Sequence, residues 1–408
     1  MKSYFKIKKI NIKKKKVFSG DKSISHRCII FSLIKNCLIE IENLLESFDI
    51  ISTINLCKNL GIYIYGPINS YLIVSSYKKK NIFNKINYIG NSGTTIRISL
   101  SLLISNNIIL GDKSLNKRTM YRIIKPLTLL GYIIQCKKNF FTPIIIFKKN
   151  NFGLKYNLVN ASSQIKSCLI LSSINSFLNI YIKENKKTRD HSERFLYFLI
   201  KKKNDFLIKI KNDFSSISFI ISLFLIKKKN FIVNCNFNKL RIGFFDYLIS
   251  IGFIFYIIKK KILNNEHLIK ILIFNKKIKN NIIYSETISK MIDEIPILLS
   301  FIINYKNIIK IYGLEELKFK ESNRFINMYK NLIFLGIKTK IKNNYLILKG
   351  GKFHKNFIFS HTDHRLFMSF YIINIKNLKI SNPENILSSF PNFFKYFKNN
   401  KNKLYVFN

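Results

Sequence analysis

Short apolar runs alternate along this chain with longer runs in which apolar side chains recur every three or four residues. Tyr71–Ser75, Ile144–Phe147 and Tyr345–Leu348 have the brevity and the β-branched, aromatic character of strands. Ser23–Lys35, Thr94–Leu103, Gln164–Ile174, Ser215–Ile226, Thr287–Ile303 and Glu321–Leu335 carry the helical spacing. Strand and helix patterns alternating in this way predict an α/β fold. The most apolar segment, Ile217–Ile226, ends in three lysines and falls short of the roughly 18 apolar residues that cross a bilayer, so no transmembrane helix is predicted. Met1–Lys16 alternates Lys with Ile and has no apolar stretch closing on small residues, so it is not read as a secretion signal.

A local pattern recurs at the start of the helical runs. Ser19–Ser23, Gly90–Thr94, Asn160–Gln164 and Asp213–Ser216 each place small polar residues or glycine directly before a helix, where they predict N-caps. The unpaired N–H groups and the dipole of a helix N-terminus attract anions. One such end is ordinary capping. Several of them, with arginines nearby, point to a cleft for phosphate or carboxylate groups and to an internally repeated unit without a strict period. No Pro/Gly/Ser linker marks a domain boundary; a weak break lies at Asn234–Lys239.

Composition changes this picture little. A chain of 408 residues with 48% apolar residues has material for two or three domains with ample core. The formal net charge of +49 invites a nucleic-acid reading. However, Lys, Ile, Asn, Phe and Tyr dominate, Trp is absent and Ala161 is the single alanine. These are residues of A/T-rich codons, so mutational bias accounts for the charge. The lysines are also dispersed, whereas single-strand binding needs a clustered basic groove with exposed aromatics. A general positive field still draws small anions. The six cysteines are far apart with no CxxC pair, which predicts free thiols in a reducing compartment.

Five segments concentrate chemistry. In Gly20–Arg27, Lys22, Ser23 and Arg27 converge at a helix start with Asp21 as the only acid, which reads as an anion site in preference to a capped surface helix. In Gly90–Arg97, Gly93 lets backbone approach a ligand, and capping explains the segment equally well. Lys320 and Arg324 stand four apart as like charges that a bound dianion would relieve, with Glu321 between them; a solvated charged face is the alternative. Asp293 and Glu294 interrupt an apolar helical stretch before Pro296, either as a buried base or as a helix cap. In Phe359–Arg365, Asp363 reads as a cap directing Arg365 at an anion, in preference to a metal pair at His361 and His364.

These segments, with Lys117–Arg122, Ala161–Ser167, Thr188–Glu193 and Asp213–Ser216, form nine in-order matches that resemble the 5-enolpyruvylshikimate-3-phosphate synthases of the enolpyruvyl transferase family over nearly the whole chain. The Arg189-Asp190-His191 stretch is similar to the branch that includes glyphosate-tolerant bacterial members. The resemblance implies two α/β (α+β) domains, each of three repeated mixed units, with the active site in the interdomain cleft. It places residues 18–236 in an N-terminal substrate-binding domain and residues 1–17 with 237–408 in a C-terminal one, the chain crossing twice. The implied reaction joins phosphoenolpyruvate to shikimate 3-phosphate. Lys22, Ser23, Arg27, Ser162, Ser163, Gln164, Arg189, Asp293 and Lys320 would hold shikimate 3-phosphate. Lys22, Gly93, Arg118, Gln164, Arg324 and Arg365 would hold phosphoenolpyruvate. Asp293, Glu321 and Lys22 would be catalytic, with no metal, nucleotide or other cofactor. The expected protein is a cytoplasmic monomer of the shikimate pathway with no nucleic-acid or membrane partner. Thr119 replaces a usual proline, Asn323 a usual aspartate, and Ser388 stands where one branch has a phosphoenolpyruvate-contacting lysine. The sister reaction on a UDP-amino sugar is the nearest rival; Lys22-Ser23 with Arg27 argues against it.

Overall fold

The computed structural model describes residues 2–6, 19–77, 85–103, 106–149, 152–158, 162–185, 187–228, 231–274, 281–305, 307–342, 345–351, 353–354, 357–373, 378–396 and 403–407. The chain groups into two compact units. The N-terminal unit comprises Ser19–Lys211 and a hairpin tip, Leu263–Glu266; the C-terminal unit comprises Met1–Phe18, Asn212–Ile262 and His267–Asn408.

One strand pattern is used repeatedly. In the N-terminal unit, Phe206–Lys209, Leu38–Glu42, Tyr71–Ser75 and Tyr63–Ile68 form a sheet in that order. Its first pair is parallel and the next two are antiparallel. Ile86–Tyr88, Asn107–Leu110, Phe141–Lys149 and Tyr132–Lys137 repeat these directions. A third, two-stranded sheet pairs Leu154–Leu158 with Ile180–Glu184 in parallel. The C-terminal unit has the same arrangement twice. Asn281–Ile283, Ile308–Tyr312, Tyr345–Lys349 and Lys338–Lys342 form one sheet. Phe357–Ile358, Lys379–Ser381, Lys2–Lys6 and Lys403–Phe407 form the other. Phe231–Asn236, Glu266–Phe274 and Ile254–Leu263 complete a three-stranded sheet. The repeated unit inferred from the recurring helix starts therefore appears as a repeated sheet. Alternation fixes its faces: in Leu38–Glu42 only Ile39 and Ile41 are buried, as the two-residue period requires.

Three helices fill the core of the C-terminal unit: Phe214–Ile226, Ile295–Ile302 and His364–Ile372 pack on one another. All of Ile295–Ile302 and almost all of Phe214–Ile226 are buried, which is why those stretches read as apolar all round. Among the described residues no helix is long and apolar enough to cross a membrane. In the N-terminal unit, Lys22–Phe31, Gly93–Ser99 and Ser163–Ser176 pack in sequence, the middle helix touching the other two.

Three sequence expectations change. The expected second boundary near Asn236 lies beyond the one between Lys211 and Asn212, because Phe214–Ile226 is a central core helix of the C-terminal unit. The expected helix Thr287–Ile303 is two helices, Ser285–Lys290 and Ile295–Ile302, with Asp293 in the turn between them and Glu294 at the second N-cap. Pro296 sits in the first turn of the second helix, where its missing N–H costs no bond. The expected helix Glu321–Leu335 is Arg324–Phe334, capped by the Asn323 side chain, which accepts from Ile326 N at 3.2 Å. Among the described residues none of the six cysteines forms a disulfide.

Candidate active site

Lys22, Ser23, Gly93, Ser162, Ser163 and Gln164 lie at the starts of three core helices of the N-terminal unit. Asp21 caps Lys22–Phe31, accepting from Ile24 N at 3.1 Å. Lys22 does have another acidic partner, contrary to expectation: its Nζ lies 2.5 Å from Asp49 Oδ2. Arg27 reaches back one turn, its Nη1 donating to the Ser23 carbonyl at 2.9 Å, as the spacing predicted. Ser162 holds the N-cap position of Ser163–Ser176 without a side-chain capping bond, and Ser162, Ser163 and Gln164 are half-buried. The preceding Asn160 and Ala161 lie outside the described residues.

Gly93 opens Gly93–Ser99 behind the Ser92 cap. A Cβ on Gly93 would sit 3.3 Å from Arg97 Nη1 and 3.4 Å from Arg118 Nη1, so two guanidinium groups flank this glycine. Arg97 Nη1 donates to Gln164 Oε1 at 3.2 Å, and Gln164 Nε2 donates to Thr94 Oγ1 at 3.1 Å. Arg118 donates to Asn91 Oδ1 and, at 3.1 Å, to Ser114 Oγ. Thus Gly93, Arg118 and Gln164 are brought together, along with Arg97. Arg189 is half-buried just ahead of helix His191–Lys201. Thr119 replaces the usual proline with a working bond, its hydroxyl accepting from Tyr121 N at 3.3 Å.

Behind Lys22, His26 is fully buried, with Nδ1 2.7 Å from Thr53 Oγ1. Burial, then the charges of Lys22 and Arg27, hold its pKa well below the ordinary 6.5. The unfolded chain protonates this histidine as pH falls through about 6.5 while the folded chain does not, so folding stability drops with pH in that range. His26→Gln is expected to flatten the decline of the urea-unfolding midpoint between about pH 7 and 5 relative to the parent. An unchanged slope would remove His26 as its source.

The C-terminal unit repeats the theme at Asp213, Glu294 and Asp363, which hold the N-cap positions of its three packed helices. Asp213 accepts from Ser216 N at 2.9 Å and pairs with Arg241 at 3.2 Å. Buried Glu294 accepts from Ser215 Oγ, which also takes bonds from Arg241 Nη2 at 2.9 Å and Arg365 Nη2 at 3.4 Å. Arg365 Nη1 donates to the Asp293 carbonyl at 2.9 Å.

Asp293 collects the expected cations. Its Oδ1 lies 3.7 Å from Lys320 Nζ and 3.9 Å from Arg324 Nη1. Lys320 precedes the Arg324–Phe334 helix, so the two cations do not share a helical face; the chain's own carboxylate offsets their repulsion. Arg324 is fully buried, pairs with Glu321, and donates from Nε to Asp363 Oδ2 at 2.7 Å. Burial opposes this cation, but Asp363, Glu321 and Asp293 outweigh it and raise its pKa above the ordinary guanidinium value. Asp363 also caps its helix, accepting from Arg365 N at 2.9 Å. Ser388 Oγ lies 3.3 Å from His364 Nδ1 and donates to the Asn385 carbonyl at 2.7 Å.

Asp49, Asn91, Arg97 and the anchoring role of Asp363 were missed by sequence reasoning. Arg97 carried a signal, being one helical turn from Gly93. Asp49 carried none, since its partner is 27 residues away.

The chain is similar to known proteins over nearly its whole length. The sequence model of the family described as EPSP synthase (3-phosphoshikimate 1-carboxyvinyltransferase) matches residues 8–397. The chain is 33% identical over 424 residues to the 3-phosphoshikimate 1-carboxyvinyltransferase of Clostridium tetani, covering 96% of this chain and 95% of the relative. It is 33% identical over 401 residues to that of Ruthia magnifica, covering 92% of each. In three dimensions it is similar to the 2.37 Å structure of EPSP synthase from Acinetobacter baumannii, with a TM-score of 0.82, 25% identity and 100% of both chains covered.

Proposed function

The chain belongs to the EPSP synthase family, and from that premise we propose which of its side chains carry each step of the reaction. The enzyme transfers the enolpyruvyl group of phosphoenolpyruvate to the 5-hydroxyl of shikimate 3-phosphate and releases phosphate, a step of aromatic amino acid biosynthesis. Both substrates are anions. The cationic groups at helix starts supply charge-assisted hydrogen bonds of about 1.5–3 kcal/mol each before reorganisation costs.

Lys22, Ser23, Arg27, Ser162, Ser163, Gln164, Arg189, Asp293 and Lys320 hold shikimate 3-phosphate in this reading. Lys22, Gly93, Arg118, Gln164, Arg324 and Arg365 hold phosphoenolpyruvate. Asp293 takes the proton of the 5-hydroxyl as its oxygen attacks the phosphate-bearing carbon of the enol. Glu321 delivers a proton to the methylene carbon, which becomes a methyl group. Glu321, now a carboxylate, then takes back a methyl proton as the tetrahedral adduct expels phosphate, restoring the carbon–carbon double bond. Lys22 is the alternative proton donor. The observation that carries this assignment is the cluster in which Asp293 and Glu321 share Arg324 while Asp293 also faces Lys320. Two carboxylates on one cation, one of them beside a lysine, supply a base and an acid in the same small region. The same reading expects a monomer working in the cytoplasm, without nucleic-acid or membrane partners.

The purified protein is expected to release phosphate only when both shikimate 3-phosphate and phosphoenolpyruvate are present, at a rate unaffected by chelators. Turnover of a UDP-amino sugar in place of shikimate 3-phosphate would overturn the reading. A gel-shift titration run alongside tests the nucleic-acid alternative and should show no saturable complex.

A further inference from the structure

Two buried hydroxyls beside Arg27 have no part in the roles assigned above. Ser167 lies in the second turn of Ser163–Ser176 and Ser192 in the first turn of His191–Lys201. They are 0% and 1% exposed, and their oxygens are 2.5 Å apart. Arg27, itself 2% exposed, donates from Nε to Ser192 Oγ at 2.7 Å and from Nη2 to Ser167 Oγ at 3.0 Å.

The direction of these bonds follows from counting hydrogens. Ser167 spends its single hydroxyl proton on the Ser163 carbonyl at 2.6 Å. The proton between the two serines must therefore come from Ser192. The hydroxyls form a relay, Ser192 to Ser167 to the Ser163 carbonyl, and both leave oxygen lone pairs turned toward the guanidinium. With the bond from Arg27 Nη1 to the Ser23 carbonyl, three neutral acceptors fix the plane of the Arg27 head.

We propose that Ser167 and Ser192 are positioning residues for shikimate 3-phosphate, a hydroxyl clamp that orients the Arg27 guanidinium for the substrate anion. The inference rests on the reading that Arg27 holds that substrate. The clamp also joins three of the segments assigned to shikimate 3-phosphate, at Ser23, at Ser163 and beside Arg189, so that one substrate meets a pre-assembled surface. Removing the hydroxyls takes away two of the acceptors that hold the guanidinium plane, and the head shifts. A displacement of about 1 Å is enough to weaken an oriented contact severely.

The test measures shikimate 3-phosphate dissociation by calorimetry, together with KM for phosphoenolpyruvate and kcat. The variants are Ser167→Ala, Ser192→Ala and their combination, each in the parent and in Arg27→Lys. Each single change is expected to raise the shikimate 3-phosphate dissociation constant about tenfold and the pair up to roughly a hundredfold, as for lost bonds to a charged group. KM for phosphoenolpyruvate at saturating partner should stay within about twofold, because Arg27 is not among its assigned contacts. In the Arg27→Lys background, already weakened, the serine changes should add less than about twofold, as coupled residues do. If Arg27→Lys weakens shikimate 3-phosphate but the serine pair does not, the clamp is wrong and the role of Arg27 survives. If Arg27→Lys has no effect, both fall. Equal loss for the two substrates, or an undiminished serine effect in Arg27→Lys, would mark the hydroxyls as ordinary packing and overturn the clamp. Should the double variant fail to fold, the two single variants decide by the same criteria.

Discussion

Glu321→Gln is expected to bind shikimate 3-phosphate nearly as the parent does, yet to lose turnover by a factor of about 10²–10⁴, the range for removal of a general acid. The expectation follows from where each carboxylate sits. Glu321 pairs with Arg324 and keeps 32% of its side chain exposed, so it has access to the phosphoenolpyruvate methylene carbon assigned to it. Asp293 faces Lys320, which is assigned to shikimate 3-phosphate, as well as Arg324. Glutamine preserves shape and hydrogen bonding while removing the transferable proton. Asp293→Asn should fail differently, weakening shikimate 3-phosphate as well as slowing turnover, because the altered acceptor is the one that meets the 5-hydroxyl. Solvent deuterium separates the two further. The parent should exchange deuterium into the phosphoenolpyruvate methylene, since protonation of that carbon is reversible in this scheme, and Glu321→Gln should not. Exchange at the parent rate in Glu321→Gln would transfer the acid role to Lys22.

The parts of this site that are legible in the sequence are those encoded locally. Caps, glycines and the first turn of a helix lie within four residues of one another, so Asp21, Ser92, Asp213 and Asp363 mark helix starts by their immediate neighbours alone. Strand directions are not legible, because parallel and antiparallel neighbours with one buried face share the same alternation. The break around Asp293 is hidden by the apolar pattern continuing through it, although Pro296 two residues after a carboxylate is a helix-start signal. The Lys320–Arg324 spacing misleads for a related reason. It extends a helical period upstream of Asn323, the residue whose side chain begins the helix. Pairings such as Lys22 with Asp49 depend on tertiary packing and leave no mark on either residue's neighbours. The charge of +49 is the least informative feature, because its lysines are spread over the whole chain and mark no one segment.

Asp363→Ala should produce the largest loss of stability among the site variants. Asp363 and Arg324 are both fully buried and joined at 2.7 Å. Taking the carboxylate away leaves a guanidinium in the interior facing Glu321, which is partly exposed, and Asp293 at 3.9 Å. Breaking one side of a buried ion pair costs roughly 3–5 kcal/mol, because the remaining charge keeps its desolvation penalty. The same substitution uncaps His364–Ile372, where Asp363 accepts from Arg365 N, at a cost of about 1 kcal/mol. Asp363→Asn retains a capping oxygen and should lose less. Activity should fall with stability, since the one carboxylate fixes Arg324 through its side chain and Arg365 through its backbone, and both are assigned to phosphoenolpyruvate. A second substitution distinguishes a buried charge from a lost cap. Arg324→Met in the Asp363→Ala background removes the stranded cation, and urea unfolding should then regain a large part of the stability while catalysis stays low. If the double variant is no more stable than Asp363→Ala, the cost lies in the cap and the cavity. The buried pair would then contribute little to holding this end of the C-terminal unit together.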